Sequence, residues 1–122
     1  MSDRELLEFA AKAAGIHVPT KKDYPWAYID ESGIFRDISC AGDGTRMSRW
    51  NPITDDGDAM RLMVRLRLEP RFIDNSHSNG AEPSRVTLHN VAGIVENIDG
   101  DPLAATRRAI VRAAAEIGKD MK

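Results

Sequence analysis

Apolar residues recur at helical spacing in three segments of the chain. The segment 2–15 opens with Ser2 and Glu5 at the spacing of a capping box. The segment 55–66 opens with acidic residues, which suit the positive end of a helix dipole. The segment 101–121 opens with an Asp-Pro pair, a common helix start. The pattern therefore predicts an N-terminal, a middle and a long C-terminal helix.

Shorter segments between these helices have the character of strands. Residues 26–38 predict a β-hairpin whose turn ends at Gly33, and residues 39–49 predict a glycine-bearing loop. Three further strands are predicted at 71–73, 85–88 and 91–97, the last weakened by a glycine. Three helices with mostly antiparallel strands indicate an α+β layered fold. The length of 122 residues fits one domain, 1–122.

Composition narrows the classes of partner. The formal net charge of −2 argues against a protein that coats long nucleic acid. The chain has one cysteine, Cys40, so an intrachain disulfide is impossible. No apolar run approaches the roughly 20 residues of a membrane helix, and the N-terminus lacks a signal-peptide core. We therefore expect a cytosolic protein that contacts no membrane.

The predicted C-terminal helix carries a cation on its apolar face. On a helical wheel, Arg107 lies inside the apolar stripe, which comprises Leu103, Ile110, Ala113, Ala114, Ile117 and Met121. A guanidinium on a core face needs an anion or several acceptors. Arg107 is therefore predicted either to bind a phosphate, with Arg108 and Arg112 on the neighbouring outer face, or to pair with a carboxylate or reach water.

Two loop features suggest nucleotide chemistry more weakly. Asn90 follows a predicted strand, and its amide could read an adenine edge or form a local turn bond. The stretch 42–46 (GDGTR) has the glycines of a phosphate-cradling loop, but lacks the P-loop lysine and is interpreted as an ordinary loop.

The remaining candidates favour structural roles. Asp55, Asp56 and Asp58 could act as paired carboxylates, but a helix start explains them as caps. The histidines, His17, His77 and His89, lack metal-binding spacing, so neither a metal nor a cofactor is predicted. The aromatic residues Trp26, Tyr28, Phe35 and Trp50 could stack on bases, although core packing is the commoner role. No catalytic set emerges, and the chain is predicted not to be an enzyme.

Two stretches together resemble a known family. The first is Trp50-Asn-Pro-Ile-Thr-Asp-Asp-Gly-Asp-Ala59, which opens the middle helix, and the second is Asp101-Pro-Leu-Ala-Ala-Thr-Arg-Arg-Ala-Ile110. With the N-terminal helix and the hairpin, they resemble the small bacteriophage and prophage proteins of the phage ABA-sandwich type. This resemblance implies an antiparallel sheet between helical layers.

Within that group, the chain resembles the Thoeris anti-defence protein 1 family. Those proteins are sponges that sequester cyclic ADP-ribose isomers, and some hold cyclic oligonucleotides at subunit interfaces. The resemblance assigns ligand contact to Arg107 and, less directly, to Asn90. The family's base-holding aromatic has no counterpart in residues 77–88, and the hairpin and the 39–49 loop are longer than in short members.

The leading hypothesis is a non-enzymatic phage or prophage protein that sequesters a small cyclic nucleotide immune signal and so counteracts bacterial anti-phage defence. Its ligand-binding residues would be Arg107, Asn90, Arg108 and Arg112, its site would form between protomers of a homo-oligomer, and it would work in the cytoplasm of the bacterial host. The alternative is a phage accessory module that binds a host protein through an apolar patch around Trp26, Trp50 and Phe72. A phosphodiesterase is the weakest alternative.

Overall fold

The architecture is α+β, as the sequence predicts, with three helices and two small antiparallel sheets. A computed structural model describes residues 1–18, 28–30, 32–37, 47–74, 84–98 and 100–121. In chain order, the elements are α1 (Asp3–Ala14), β1 (Tyr28–Asp30), β2 (Gly33–Asp37), β3 (Met47–Trp50), α2 (Asp56–Leu66), β4 (Pro70–Ile73), β5 (Arg85–Leu88), β6 (Val95–Asn97) and α3 (Pro102–Lys119).

Each helix starts at the cap that its sequence predicts. The Ser2 hydroxyl accepts the Glu5 amide, and the Glu5 carboxylate accepts the Ser2 amide, which completes a capping box. Asp55 caps α2 by accepting the Asp58 amide, and Asp101 caps α3 in the same way from Ala104. These contacts are local, which is why short sequence motifs suffice to predict them.

The strands form two sheets of three, in the orders β1-β2-β3 and β4-β5-β6, with every neighbouring pair antiparallel. The hairpin is confirmed, with Ile29 opposite Ile34. The prediction of a loop over 39–49 is wrong for its last residues, because Met47–Trp50 pairs with β2. Its sequence is not rich in β-branched residues, so cross-strand pairing rather than intrinsic propensity makes it a strand.

The sixth strand is shorter than predicted. Only Val95–Asn97 pairs with β5, whereas residues 91–94 lie outside the strand, with a turn at 92–93. Gly93 has a φ of +84°, a left-handed conformation that breaks the strand pattern. The pairing therefore begins two residues beyond this glycine.

Helix α3 is the centre of the packing. It contacts α1, α2 and all three strands of the second sheet. Its interface with α1 is rich in small side chains, and Gly118 lies directly against the α1 backbone: a Cβ built on Gly118 would lie 1.8 Å from the Phe9 carbonyl oxygen. The small residues therefore let the two helix backbones approach closely.

The predicted apolar stripe of α3 is wrong at both ends. Leu103 is 61% exposed and Met121 is 43% exposed. Ile110, Ala113 and Ala114 are buried as expected, but the buried surface also extends around the helix to Ala105, Ala109, Val111, Ala115 and Gly118. Since α3 lies between α1 and a sheet, most of its circumference is covered, and a prediction of one buried face underestimates the buried surface.

No helix in the described residues could cross a membrane.

Two helical glycines provide a matched test of the α1–α3 contact. We expect Gly118→Ala to lower the free energy of unfolding by about 1–3 kcal/mol, because the new methyl group must displace the α1 backbone. In Gly57→Ala, on α2, the new Cβ would meet only side-chain atoms at 3.2 Å or more. This control should be neutral or stabilising by up to about 1 kcal/mol. Urea unfolding measures the free energy of unfolding of both variants. Equal changes in the two variants would contradict the close contact between the α1 and α3 backbones.

Candidate functional site

A buried polar network joins the first sheet to α2. Asn51 is 2% exposed; its side-chain NH₂ donates to the Ser32 carbonyl at 2.7 Å, and its side-chain oxygen accepts the Ile53 amide at 3.0 Å. The main-chain N–H of Asn51 donates to the carboxylate of Asp58 at 2.9 Å. Removing one partner would leave buried groups unpaired at about 1–3 kcal/mol each. The network therefore fixes where β3 ends relative to the start of α2.

A groove lies beside this junction, between β3, α2 and the residue after the α1 cap. Its apolar lining comes from Ile16, Trp50 and Leu62, and it encloses about 330 Å³. Its polar lining comprises Ser48, Arg49, Asp58, Arg61 and Arg65. We call this feature the arginine groove. Its volume is at the lower end of the range for small-molecule sites, and three of its five polar groups are guanidinium groups.

The three guanidinium groups differ in their partners. Arg61 donates to the Asp58 carboxylate at 2.7 Å, and this hydrogen bond and the charge of Asp58 raise the pKa of Arg61 above its ordinary value. Arg49 and Arg65 are exposed, and within the described part of the chain they form neither an ion pair nor a side-chain hydrogen bond. Arginine groups bind phosphate and carboxylate oxygens through paired N–H donors. The groove thus offers two uncompensated cations beside one that is held in place.

Arg65 lies beside the glycine that ends α1. Gly15 ends α1 with a φ of +74°, and a Cβ built on it would lie 3.2 Å from Nη2 of Arg65. On the opposite side, the Arg49 stem lies beside Gly33, where a Cβ would be 3.0 Å from Cγ of Arg49 and 2.9 Å from the Trp50 carbonyl oxygen. Gly33 has a φ of +141°, a region that favours glycine. Glycines therefore leave space for both arginines.

Arg107 is covered, as its position on the helical wheel predicts, and it has protein partners. Its side chain is 18% exposed, Nε donates to the Ile53 carbonyl at 2.8 Å, and Nη1 pairs with Asp56 at 2.6 Å. These contacts agree with the second predicted role of Arg107, in which its guanidinium pairs with a carboxylate of the protein. Asp56 is 65% exposed, so the pair lies at the edge of the α2–α3 contact.

Asn90 fastens the end of α2 to the second sheet. Its NH₂ donates to the Arg67 carbonyl at 2.7 Å, and its side-chain oxygen accepts the Glu69 amide at 3.1 Å. Arg67 has a φ of 55°, a left-handed conformation at the helix end that an L side chain rarely adopts. The side-chain amide of Asn90, which was a candidate for contact with a base, therefore forms hydrogen bonds with main-chain groups more than 20 residues away.

Arg108 and Arg112 share one carboxylate. Arg108 lies 3.4 Å from Glu96 and 3.2 Å from Asp3, and Arg112 lies 3.1 Å from Glu96 and donates to the Val95 carbonyl at 2.9 Å. These arginines tie α3 to α1 and β6. The structure therefore brings Arg108 and Arg112 together, but sets them in different contacts from Arg107 and Asn90.

The other sequence candidates have mixed outcomes. Asp55 is a helix cap, as predicted, and in the described residues no group of His, Cys, Asp and Glu could hold a metal ion. Trp50 is 4% exposed and belongs to the core, so the prediction that it contributes to an apolar docking patch is wrong, whereas Phe72 is exposed. The stretch 42–46, Cys40, His77 and Trp26 lie outside the described residues.

The sequence alone does not reveal the arginine groove. Arg61 and Arg65 are one turn apart on the predicted α2, which is a signal for one positive face. The sequence predicts a loop at Arg49, however, and only the pairing of β3 with β2 brings this residue to the same groove. Comparisons with protein-family models, curated proteins and solved structures find no match for this chain.

The Arg107 contacts give a structural prediction. We expect Arg107→Ala to lower the free energy of unfolding by about 1–2 kcal/mol, because the Ile53 carbonyl and Asp56 lose a charged donor. A double-mutant cycle with Asp56→Ala should give a coupling of about 0.5–1 kcal/mol, since the pair is partly exposed. Unchanged stability together with loss of nucleotide binding would instead make Arg107 a ligand contact.

Proposed function

We propose that this protein binds a small phosphorylated ligand of the nucleotide class and holds it without changing it chemically. The observation that carries the proposal is the arginine groove, in which Arg49 and Arg65 have no ion-pair partner among the described residues and lie beside Arg61. Uncompensated cations in a concave site attract anions, and arginine is well matched to phosphate. The groove, rather than the arginines of α3, is the proposed binding site.

Binding without catalysis fits the state of the carboxylate in the groove. One oxygen of Asp58 accepts the Asn51 amide and the other accepts the Arg61 guanidinium. A general base must be able to reach and take a proton from the ligand. Because Asp58 is committed to these two contacts, we assign it to positioning Arg61.

The resemblance to phage anti-defence proteins suggests a biological role for this binding. We propose that the ligand is a nucleotide immune signal, such as a cyclic ADP-ribose isomer or a cyclic oligonucleotide, which the protein sequesters in the cytoplasm of a bacterial host. A homo-oligomer remains part of this proposal, because small sheets with exposed edges favour pairing between copies. In this account, the arginines of α3 serve the fold, and the groove serves the ligand.

A second candidate is a module that binds a host protein. The observation that favours it is a set of exposed apolar side chains, which includes Phe72 on β4 and Met60 and Val64 on α2. This function does not require the arginine groove. It becomes the preferred function if no phosphorylated ligand binds.

Calorimetric titration with nucleotides tests the proposal. We expect a ligand with a dissociation constant below roughly 10 μM, about −7 kcal/mol. The double variant Arg49→Ala/Arg65→Ala should weaken binding by at least tenfold, because each charged hydrogen bond contributes about 1.5–3 kcal/mol. The unfolding free energy of this double variant should change little, since neither side chain forms an ion pair or a hydrogen bond within the described part of the protein.

The matched control is Arg67→Ala/Arg71→Ala, which removes the same charge from exposed positions outside the groove. It should keep the original affinity. Equal losses in the two double variants would indicate a general charge effect and contradict a site in the groove. Absence of binding by cyclic ADP-ribose isomers, cyclic di- and trinucleotides and mononucleotides alike would refute the proposed function.

A further inference from the structure

We infer that a hollow beside α1 receives the nucleobase of the ligand whose phosphate binds in the arginine groove. The inference rests on the proposed function, which it deepens by assigning a second part of the ligand to a second part of the site. Cyclic ADP-ribose isomers and cyclic oligonucleotides all contain a base. A base-binding hollow would therefore separate these ligands from sugar phosphates and from inorganic anions.

The hollow lies at the C-terminal end of α1 and encloses about 590 Å³. This volume is within the range of small-molecule sites. Phe9, Ile16 and Val18 give the hollow apolar walls, and these side chains are partly buried against the hydrophobic core. We call this feature the α1 hollow. Its lining suits the flat apolar face of a base better than it suits a phosphate.

The α1 hollow and the arginine groove adjoin at the end of α1. Ile16 lines both of them. Gly15 lines the hollow, and a Cβ built on Gly15 would lie 3.2 Å from Nη2 of Arg65, which lines the groove. Because residue 15 has no side chain, nothing at this position separates the hollow from the guanidinium group. A phosphate bound by Arg65 would therefore lie at the entrance to the hollow.

The hollow offers the aromatic rings that a base can stack on. In the groove, the aromatic lining residue is Trp50, which is 4% exposed and packs in the core. In the hollow, the lining includes the ring of Phe9 and the imidazole of His17. Unpaired bases stack on the side chains of Phe and His as well as on those of Tyr and Trp. The two cavities thus provide the two kinds of contact that a nucleotide needs.

The main chain of Phe9 is held in place by α3. The Phe9 carbonyl lies directly against Gly118, so closely that a Cβ on Gly118 would overlap it. The ring is therefore attached to a backbone whose position is fixed before any ligand binds. Such preorganisation lowers the cost of ordering the site around a ligand.

The charged side chains of the hollow are engaged with other parts of the protein. Glu8 pairs with Arg4 at 3.2 Å, and the Lys12 ammonium group donates to the Met121 carbonyl at 2.6 Å. The base is therefore held mainly through its face rather than through its hydrogen-bonding edge. Stacking of this kind tolerates different bases.

The experiment records intermolecular nuclear Overhauser effects by NMR between the protein and three probes. The probes are a cyclic ADP-ribose isomer, a cyclic adenine dinucleotide and adenosine 5′-monophosphate. For the probes that bind, we expect effects between the base protons and both the Phe9 ring protons and the Val18 methyl protons. These effects report proximity, which a purely structural role of Phe9 would not produce.

A matched pair of variants measures the contribution of the ring. Phe9→Leu removes the ring but keeps an apolar side chain, and it should weaken binding roughly fivefold or more, the scale of one base stacked on an aromatic side chain. The control is Phe72→Leu, because Phe72 is exposed on β4 and lies outside both cavities. This control should keep the original affinity in calorimetric titration.

The outcomes separate the inference from the proposed function. Binding that depends on Arg49 and Arg65 but gives no Overhauser effect at Phe9 or Val18 would overturn the inference and leave the proposed function standing. Equal losses of affinity in Phe9→Leu and Phe72→Leu would also overturn it. If Phe9→Leu does not fold, the Overhauser effects of the unmodified protein decide. Failure of all three probes to bind would count against the proposed function itself.

Discussion

The fold depends on the buried hydrogen bonds around Asn51 and Asp58. These are the buried polar residues among those that the structure describes, and each uses its polar atoms on a different element. The Asn51 side-chain NH₂ donates to the Ser32 carbonyl in the hairpin turn. The main-chain carbonyl of Asn51 accepts the main-chain N–H groups of Thr54 and Asp55. A buried polar group without a partner is costly, so the network has one favourable arrangement. Sheet, turn and helix start are thereby locked together.

The arginine groove is a consequence of this arrangement. Asp58 serves the buried network with one oxygen and holds Arg61 with the other. The same junction sets the end of β3, which carries Arg49, beside α2, which carries Arg65. The walls of the groove are therefore fixed by buried bonds, while its cations remain exposed. Such a division suits a binding site, because a preorganised frame lowers the cost of ordering side chains around a ligand.

Local contacts in this protein could be predicted from sequence, and distant ones could not. The capping box at Ser2 and the cap at Asp101 depend on residues three positions away. The covered position of Arg107 follows from helical periodicity, but its partner Asp56 is 51 residues distant. Strand β3 depends on its pairing with β2, and the groove depends on contacts among β3, α2 and Ile16. Arg107, to which the resemblance assigns ligand contact, pairs in the fold with Asp56.

The most direct test of the central claim follows arginine side-chain Nε–H signals by NMR during titration with a cyclic ADP-ribose isomer and with a cyclic dinucleotide. The account predicts that the signals of Arg49, Arg61 and Arg65 shift together and saturate, whereas those of Arg108 and Arg112 stay unchanged. Saturating shifts at Arg108 and Arg112, with none in the groove, would contradict it.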